Sequence, residues 1–197
     1  MAWVLVFIDG FCTLVENKLQ MSLISIQYYQ SAFGELILGA YQGELCLCDW
    51  RYRRMRSAID ERIATGLAAE YIEEETAVIN ETIKQLEAYS KGELKSFDVP
   101  LKLVGTPFQQ QVWKALIQIP YGQTKSYLGL SQQLGNEKAI RAVASANGAN
   151  AISIIVPCHR IIGNDGALVG YAGGLPAKKK LLDLEGYQKL TGQLSLF

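Results

Sequence analysis

The stretch Ile154-Ile155-Val156-Pro157-Cys158-His159-Arg160-Ile161-Ile162 places the only histidine of the chain beside a cysteine, inside an otherwise apolar run. A thiol attacks as its thiolate, and a neighbouring imidazole or positive charge populates that form near neutral pH. The competing reading of the same residues is a buried structural cysteine at the end of a strand. Cys46 and Cys48 stand two apart in Gly43-Glu44-Leu45-Cys46-Leu47-Cys48, so a regular strand would turn both to one face. A structural zinc site needs about four ligands, and the sole histidine already stands beside Cys158, so core packing is the better reading of that pair.

The elements that must position Cys158 are legible in outline. Residues 22–49 alternate apolar and polar, interrupted at Ser31-Ala32-Phe33-Gly34 and at Gln42-Gly43, which predicts a three-stranded antiparallel meander. Tyr52 to Gly66 and Tyr71 to Gly92 carry helical spacing, each closed by a glycine. Leu94 to Gly105, containing Pro100, reads as a linker with a short strand, and a domain boundary is expected near Lys95. Thr106-Pro107-Phe108 opens a helix, with Thr106 as N-cap and Pro107 at the first helical position, and Pro120 ends it. Ser126 to Leu134 and Glu137 to Asn147, joined by Gly135 and capped by Asn136, predict a helix-turn-helix. Gly163-Asn164-Asp165-Gly166 reads as a hairpin-type turn, and a last helix is expected from Pro176 to Glu185. From pattern alone, Glu185 is a surface carboxylate at the end of that helix.

The second helix of the pair is rich in small residues (Ala139, Ala142, Ala144, Ser145, Ala146 and Gly148), with Lys138 and Arg141 as its cations. Long polar side chains that read base edges are scarce, so such a helix suits close approach to a backbone or narrow groove, or tight packing against another helix. Charge is divided unevenly. Residues 1–99 hold 9 Lys/Arg against 15 Asp/Glu, and residues 100–197 hold 10 against 4, so −6 and +6 cancel to zero. The basic half is the one expected to meet a polyanion. At 49% hydrophobic residues the composition is that of an ordinary globular protein. No apolar run reaches the roughly 18 residues of a bilayer span, so no membrane partner is expected. Met1 to Phe11 lacks a basic n-region and a cleavage site and reads as an extension or added strand; Met21 could equally be a start. Four cysteines without framework spacing point to a reducing, cytoplasmic setting.

Pro157-Cys158-His159-Arg160 with the upstream Arg141-Ala142-Val143 and Asn150, and the downstream Gly170-Tyr171-Ala172-Gly173-Gly174 through Glu185-Gly186, resembles the O6-alkylguanine-DNA alkyltransferases. The match covers about residues 100–186 with the spacing kept and, more loosely, the α/β part before it. The resemblance implies an α/β N-terminal domain with a small antiparallel sheet and helices, followed by a mainly α, winged-helix-like domain containing the helix-turn-helix. The expected division is a 1–21 extension, a ribonuclease H-like domain over 22–95, and a DNA-binding and alkyl-acceptor domain over 96–197.

The resemblance also implies roles. Cys158 takes the alkyl group from guanine O6, His159 acts as base through a water, and Glu185 orients the histidine. Because Cys158 and His159 are adjacent, an extended backbone would turn them to opposite faces, which gives the water a physical reason. Arg141 enters the duplex through the minor groove in place of the flipped nucleotide, and Tyr127 helps rotate that nucleotide and hydrogen-bonds its base. Asn150 is the hinge between recognition helix and acceptor strand, Tyr171 and Ala172 wall the guanine pocket, and Arg160 belongs to the DNA-binding set. Ala172 stands where some members carry serine, which removes a pocket hydrogen bond. The implied partner is double-stranded DNA containing O6-alkylguanine, met by a monomer that uses each thiol once, with no metal and no organic cofactor. Two other functions fit parts of the pattern: a cysteine hydrolase or acyltransferase built on Cys158, His159 and Glu185, and a damage-binding protein without chemistry.

Overall fold

The computed structural model describes residues 22–187, together with the backbone of two strands nearer the N-terminus. Those strands, β1 (Ala2–Ile8) and β2 (Phe11–Asn17), pair antiparallel with each other and form a ladder separate from the main sheet.

The predicted meander is present as β3 (Ser22–Ser31), β4 (Gly34–Tyr41) and β5 (Glu44–Trp50). Helix α1 (Arg56–Leu67) follows. A fourth strand, β6 (Ala69–Glu73), runs parallel to β3, so the sheet is mixed, in the order β5-β4-β3-β6. This corrects two expectations. Tyr71 belongs to a strand, and the helix expected from it starts later, as α2 (Ala77–Ser90) capped by the Thr76 hydroxyl. The first helix is closed by Ala68 in the left-handed conformation and not by Gly66, which lies within α1. Glu70, Glu73, Glu74 and Glu75 mask the strand, because β6 is an edge strand with only Ala69 buried.

β4 and β5 are apolar nearly throughout because both sheet faces are covered. On one face Ile24, Ile26, Ile37 and Leu47 pack under Ile59 and Ile63 of α1. On the other, Leu36, Leu38, Leu45, Cys48 and Trp50 join Ile79, Leu86 and Tyr89 of α2 in a core that continues into the C-terminal half. The two strand cysteines do not share a face. Ala40 pairs with Leu45 and Gly39 with Leu47, so a β-bulge at Cys46 shifts the alternation. Cys46 packs with the α1 side and Cys48 with the other.

The segment joining the two halves does not hang free. Leu45 N–H donates to Pro100 O (2.8 Å) and Lys102 N–H donates to Leu45 O (2.9 Å), so the linker runs along the outer edge of β5. Helix α3 (Pro107–Ile117) then begins with the Thr106 cap, closed as a capping box by Gln109, and buries Val112, Trp113, Ala115 and Leu116. A two-residue strand β7 (Lys125–Ser126) leads into α4 (Tyr127–Gln133), whose N-cap is Ser126. Gly135 makes the left-handed turn, but the Asn136 side chain caps nothing. The chain instead enters the second helix through a short 3-10 turn, Glu137–Ala139, before α5 (Ile140–Gly148). β8 (Ile161–Ile162) pairs parallel with β7, so the turn at 163–166 closes a loop and not a β-hairpin. The last described helix is α6 (Gly174–Leu184).

Trp50 at the end of β5 is the contact between sheet and C-terminal loop. Its indole lies against Gly34 on one side and Gly173 on the other, where a Cβ would fall inside the ring's van der Waals surface. We expect Gly173→Ala to cost about 1–3 kcal/mol through that overlap, read as a lower urea midpoint with an unchanged slope.

Candidate active site

The approach to Cys158 is built on the same outer edge of β5. Cys48 N–H donates to Ala151 O (2.9 Å) and Ser153 N–H donates to Cys48 O (2.6 Å), so residues 151–153 extend the sheet edge beyond the linker. Ile154 then takes φ +73°, a region that costs a β-branched residue about 1–3 kcal/mol. The turn is held by Val156 N–H donating to Ile152 O (2.9 Å) and by the Asn150 side chain. Asn150 is buried; its Oδ1 accepts from Ile152 N–H (2.9 Å), and its Nδ2 donates to Val156 O (2.9 Å) and to Cys158 Sγ (3.2 Å).

Cys158, His159 and Arg160 form a single turn of 3-10 helix, so the extended backbone expected here is not found. A 3-10 turn separates successive side chains by about 120°, which still sends cysteine and histidine in different directions. Cys158 lines a cavity of about 330 Å³ together with Tyr127, Asn150, Tyr171, Ala172 and Arg53. Burial pushes the Cys158 thiol up from its ordinary range, and the Asn150 hydrogen bond opposes that shift. The Tyr171 hydroxyl is buried without a hydrogen-bond partner among the described residues, and its ring stands edge-on to Trp50 and His159.

His159, Arg160 and Glu185 do not line this cavity; they form a buried polar cluster. Glu185, expected at the surface, is 5% exposed. Its Oε1 accepts from His159 Nε2 (3.0 Å), Arg160 Nη2 (2.8 Å) and the Tyr89 hydroxyl (2.7 Å). Its Oε2 accepts from Arg160 Nε (2.9 Å) and Gly122 N–H (3.2 Å). Burial alone would raise the carboxyl, but the hydrogen bonds from His159 and Arg160 outweigh it and hold it down at about 2. Burial likewise lowers His159, so the imidazole is neutral at pH 7 with Nε2 facing the carboxylate. Its Nδ1 is buried and has no partner among the described residues.

Arg160 requires a correction. Expected among the DNA-binding residues, it is buried, with Nη1 donating to Ile119 O (2.6 Å) and the rest of its fork on Glu185. Its charge is spent on the carboxylate, and none of it reaches the surface. Arg141 is exposed at the start of α5 and forms no ion pair among the described residues. The face of α5 it begins carries Ala142, Ser145 and Gly148, all exposed, while Val143, Ala146 and Asn147 turn inward under Trp113.

Several residues at the site escaped sequence reasoning. Nothing in the local pattern around Tyr89 and Trp50 separates them from core aromatics. Lys178 is one of three consecutive lysines, but it is fully buried and donates to Ile161 O and Val169 O, with burial lowering its amine to about 8. Its place between Ala177 and Leu181 on the apolar side of α6 was the available signal. Arg53 and Arg54 come from the acidic half, which therefore does reach the cavity. Among the described residues no group of three or more His, Cys, Asp or Glu side chains is placed to hold a metal ion, and no helix is long and apolar enough to cross a membrane.

The cluster predicts unequal costs. Tyr89→Phe removes one of several donors to a charged acceptor and should cost about 1.5–3 kcal/mol. Arg160→Met leaves a buried carboxylate without its cation and should cost about 3–5 kcal/mol, the two being compared by denaturant unfolding at pH 7.

Comparison with known proteins agrees with this geometry. The family model "6-O-methylguanine DNA methyltransferase, DNA binding domain" matches residues 107–187. The methylated-DNA–protein-cysteine methyltransferase of Mycobacterium leprae is 53% identical over 123 residues, which is 62% of this chain and 74% of that protein. The protein of the same name from Methanosarcina acetivorans is 58% identical over 106 residues, 54% of this chain and 68% of its own. The crystal structure of Mycobacterium tuberculosis OGT in complex with DNA superposes with a TM-score of 0.71 at 42% identity, covering 82% of this chain and 92% of that one. With relatives more than half identical matched over most of their length, and with a shared two-domain architecture, the chain belongs to the methylated-DNA–protein-cysteine methyltransferase family.

Proposed function

We propose that this protein repairs duplex DNA by moving the alkyl group of O6-alkylguanine onto Cys158 Sγ, once per molecule. The observation that carries the reading is the sulfur itself, set in the wall of a cavity of about 330 Å³ that Tyr127, Tyr171 and Ala172 also line. That volume is at the lower end of the range for small-molecule sites and suits a single base. A base stacked in a duplex cannot reach such a cavity, so the nucleotide is flipped out, and a weakened alkylated pair flips at lower cost.

In the transfer step the sulfur–carbon bond forms as the carbon–O6 bond breaks. The thiol proton passes to His159 through a water, and the guanine leaves with its developing charge met by a hydrogen-bond donor. The unpartnered Nδ1 of His159 supports that proton route, and Glu185 on Nε2 holds the ring in the matching tautomer. The thioether product has no activated bond, so the protein is consumed. Tyr127 at the first turn of α4 assists rotation of the nucleotide, and Tyr171 and Ala172 pack against the flipped base. Ala172 offers no hydroxyl to it.

On the DNA side, Arg141 takes the space the nucleotide vacates. The exposed Ala142, Ser145 and Gly148 allow α5 to approach a minor groove closely. Such binding depends on backbone charge, is salt-sensitive and varies little with sequence. The protein acts as a monomer in the cytoplasm.

Two measurements test the reading. Incubation with a duplex carrying one O6-methylguanine should raise the intact mass by a single methyl group, stoichiometrically, and Cys158→Ala should show no gain. Binding without mass change would leave a damage-binding protein, and repeated turnover would indicate a hydrolase. The second concerns pH. Because burial lowers His159 from its ordinary value of about 6.5, its neutral form persists below that pH, and the single-turnover rate should fall on acidification with a midpoint below 6.5. Glu185, held at about 2, stays anionic throughout that range. A midpoint at or above 6.5 would place the base elsewhere.

A further inference from the structure

Among the described residues Arg53, in the loop after β5, is the one cation whose side chain bonds the backbone joint between the recognition helix and the acceptor segment. Its Nη2 donates to Gly148 O and its Nη1 to Asn150 O (2.8 Å), the carbonyls on either side of Ala149. The same Nη1 donates to Asp49 Oδ2 (2.7 Å), and Asp49 is wholly buried. Asp49 also accepts from Ser153 Oγ (3.0 Å) through Oδ1 and from Arg56 Nη1 (2.9 Å) through Oδ2. The guanidinium is thus fixed from behind by a carboxylate of the sheet and bonds in front to the last carbonyl of α5 and to the carbonyl of Asn150 just beyond it. A cation at a helix C-terminus is favourably placed against the helix dipole.

The residue held this way is Asn150, whose amide is the hydrogen-bond donor on Cys158 Sγ at 3.2 Å. Arg53 also lines the cavity that contains the sulfur. We propose that Arg53 is a positioning residue for alkyl transfer: through the Gly148 and Asn150 carbonyls it keeps the Asn150 amide on the sulfur, and it supplies a positive charge to the acceptor from outside the C-terminal half. Resting on the alkyl-transfer reading above, this assigns the N-terminal half a part in activating the thiol.

The groups that face Cys158 come from every element around it. They are Asp49 on β5, Arg53 after it, Tyr127 on α4, Tyr171 before α6, and Lys178 on α6, while His159 on the same turn points in another direction. Asp49 and burial push the thiol up; Arg53, Lys178 and the Asn150 bond pull it down. Loss of Arg53 therefore makes the thiolate harder to form and moves the alkaline part of the pH–rate curve, where the thiol itself ionises, to higher pH, while the acid limb set by His159 stays in place.

The test uses the full chain and two probes, a duplex with one O6-methylguanine and the free O6-methylguanine base, each followed as single-turnover methyl transfer by mass. Arg53→Met is expected to slow both reactions by a similar factor of about ten at pH 7, equivalent to a shift of about one unit in the thiol, and to move the alkaline part of the pH–rate curve upward. Asp49 keeps Arg56 and Ser153 in that variant, so it is not left bare. Arg53→Lys retains the charge without the fork and should return the pH–rate curve toward wild type while recovering only part of the rate. A rate within twofold of wild type, with an unmoved curve and only a lower unfolding midpoint, overturns the proposal. So does a loss confined to the duplex together with weaker DNA binding, which would make Arg53 a DNA contact. Wild type tested in parallel separates the two levels: if it gains no methyl group, the function above fails, whatever Arg53 does.

Discussion

A carboxylate without water is among the most expensive groups to bury, and Glu185 is buried in the middle of this molecule. Its cost is met by four residues from three separate places: Tyr89 on α2, Gly122 in the loop after α3, and His159 and Arg160 on the turn that carries Cys158. No one of these segments can move without leaving the charge short of partners. The carboxylate therefore ties α2 of the N-terminal half, the entrance to the helix-turn-helix and the turn carrying Cys158 into one arrangement. It also fixes the orientation of the only imidazole in the chain.

The N-terminal half is more than a neighbour of the acceptor half. The outer edge of β5 pairs first with residues 100–102 and then with residues 151–153, so one strand positions both the linker and the approach to the cysteine. Trp50 at its end packs against Gly173, and Asp49 beside it accepts from Ser153. One core cluster runs from Leu36 on β4 to Leu181 on α6. The unequal charge of the two halves, −6 and +6, does not divide their labour as cleanly as composition implied, since Arg53 and Arg54 line the cavity from the acidic side.

On the proposed reading, the resting state of the sulfur fits an acceptor used once. Apolar burial pushes the Cys158 thiol up, and a thiol kept protonated is protected from oxidation and from adventitious alkylators. Activation then falls to groups brought in by the surrounding fold: the Asn150 amide, the Lys178 and Arg53 charges, and the neutral His159 held by Glu185. On the proposed reading these act fully only when a flipped base closes the cavity and excludes solvent.

Local chemistry could be read directly from the chain. Thr106-Pro107 opens α3, Gly135 makes the turn between the helices, and the alternation of residues 22–49 gives three strands, because each depends on residues within a few positions. The motif around Cys158 likewise pointed to the family. What required tertiary structure is everything whose partner lies far along the chain. Glu185 has a surface pattern locally and becomes buried only because Tyr89, 96 residues away, and Arg160, 25 residues away, converge on it. Arg160 is carried into the interior by the same convergence. Cys46 and Cys48 part company because Gly39 and Ala40 on the neighbouring strand impose a bulge. β6 hides behind an acidic, helix-like sequence because an edge strand beside β3 needs little apolar surface of its own. Short-range spacing determined the elements and singled out Cys158; long-range pairing and burial decided which charges surround it, because desolvation and hydrogen-bond partners are properties of the assembled interior.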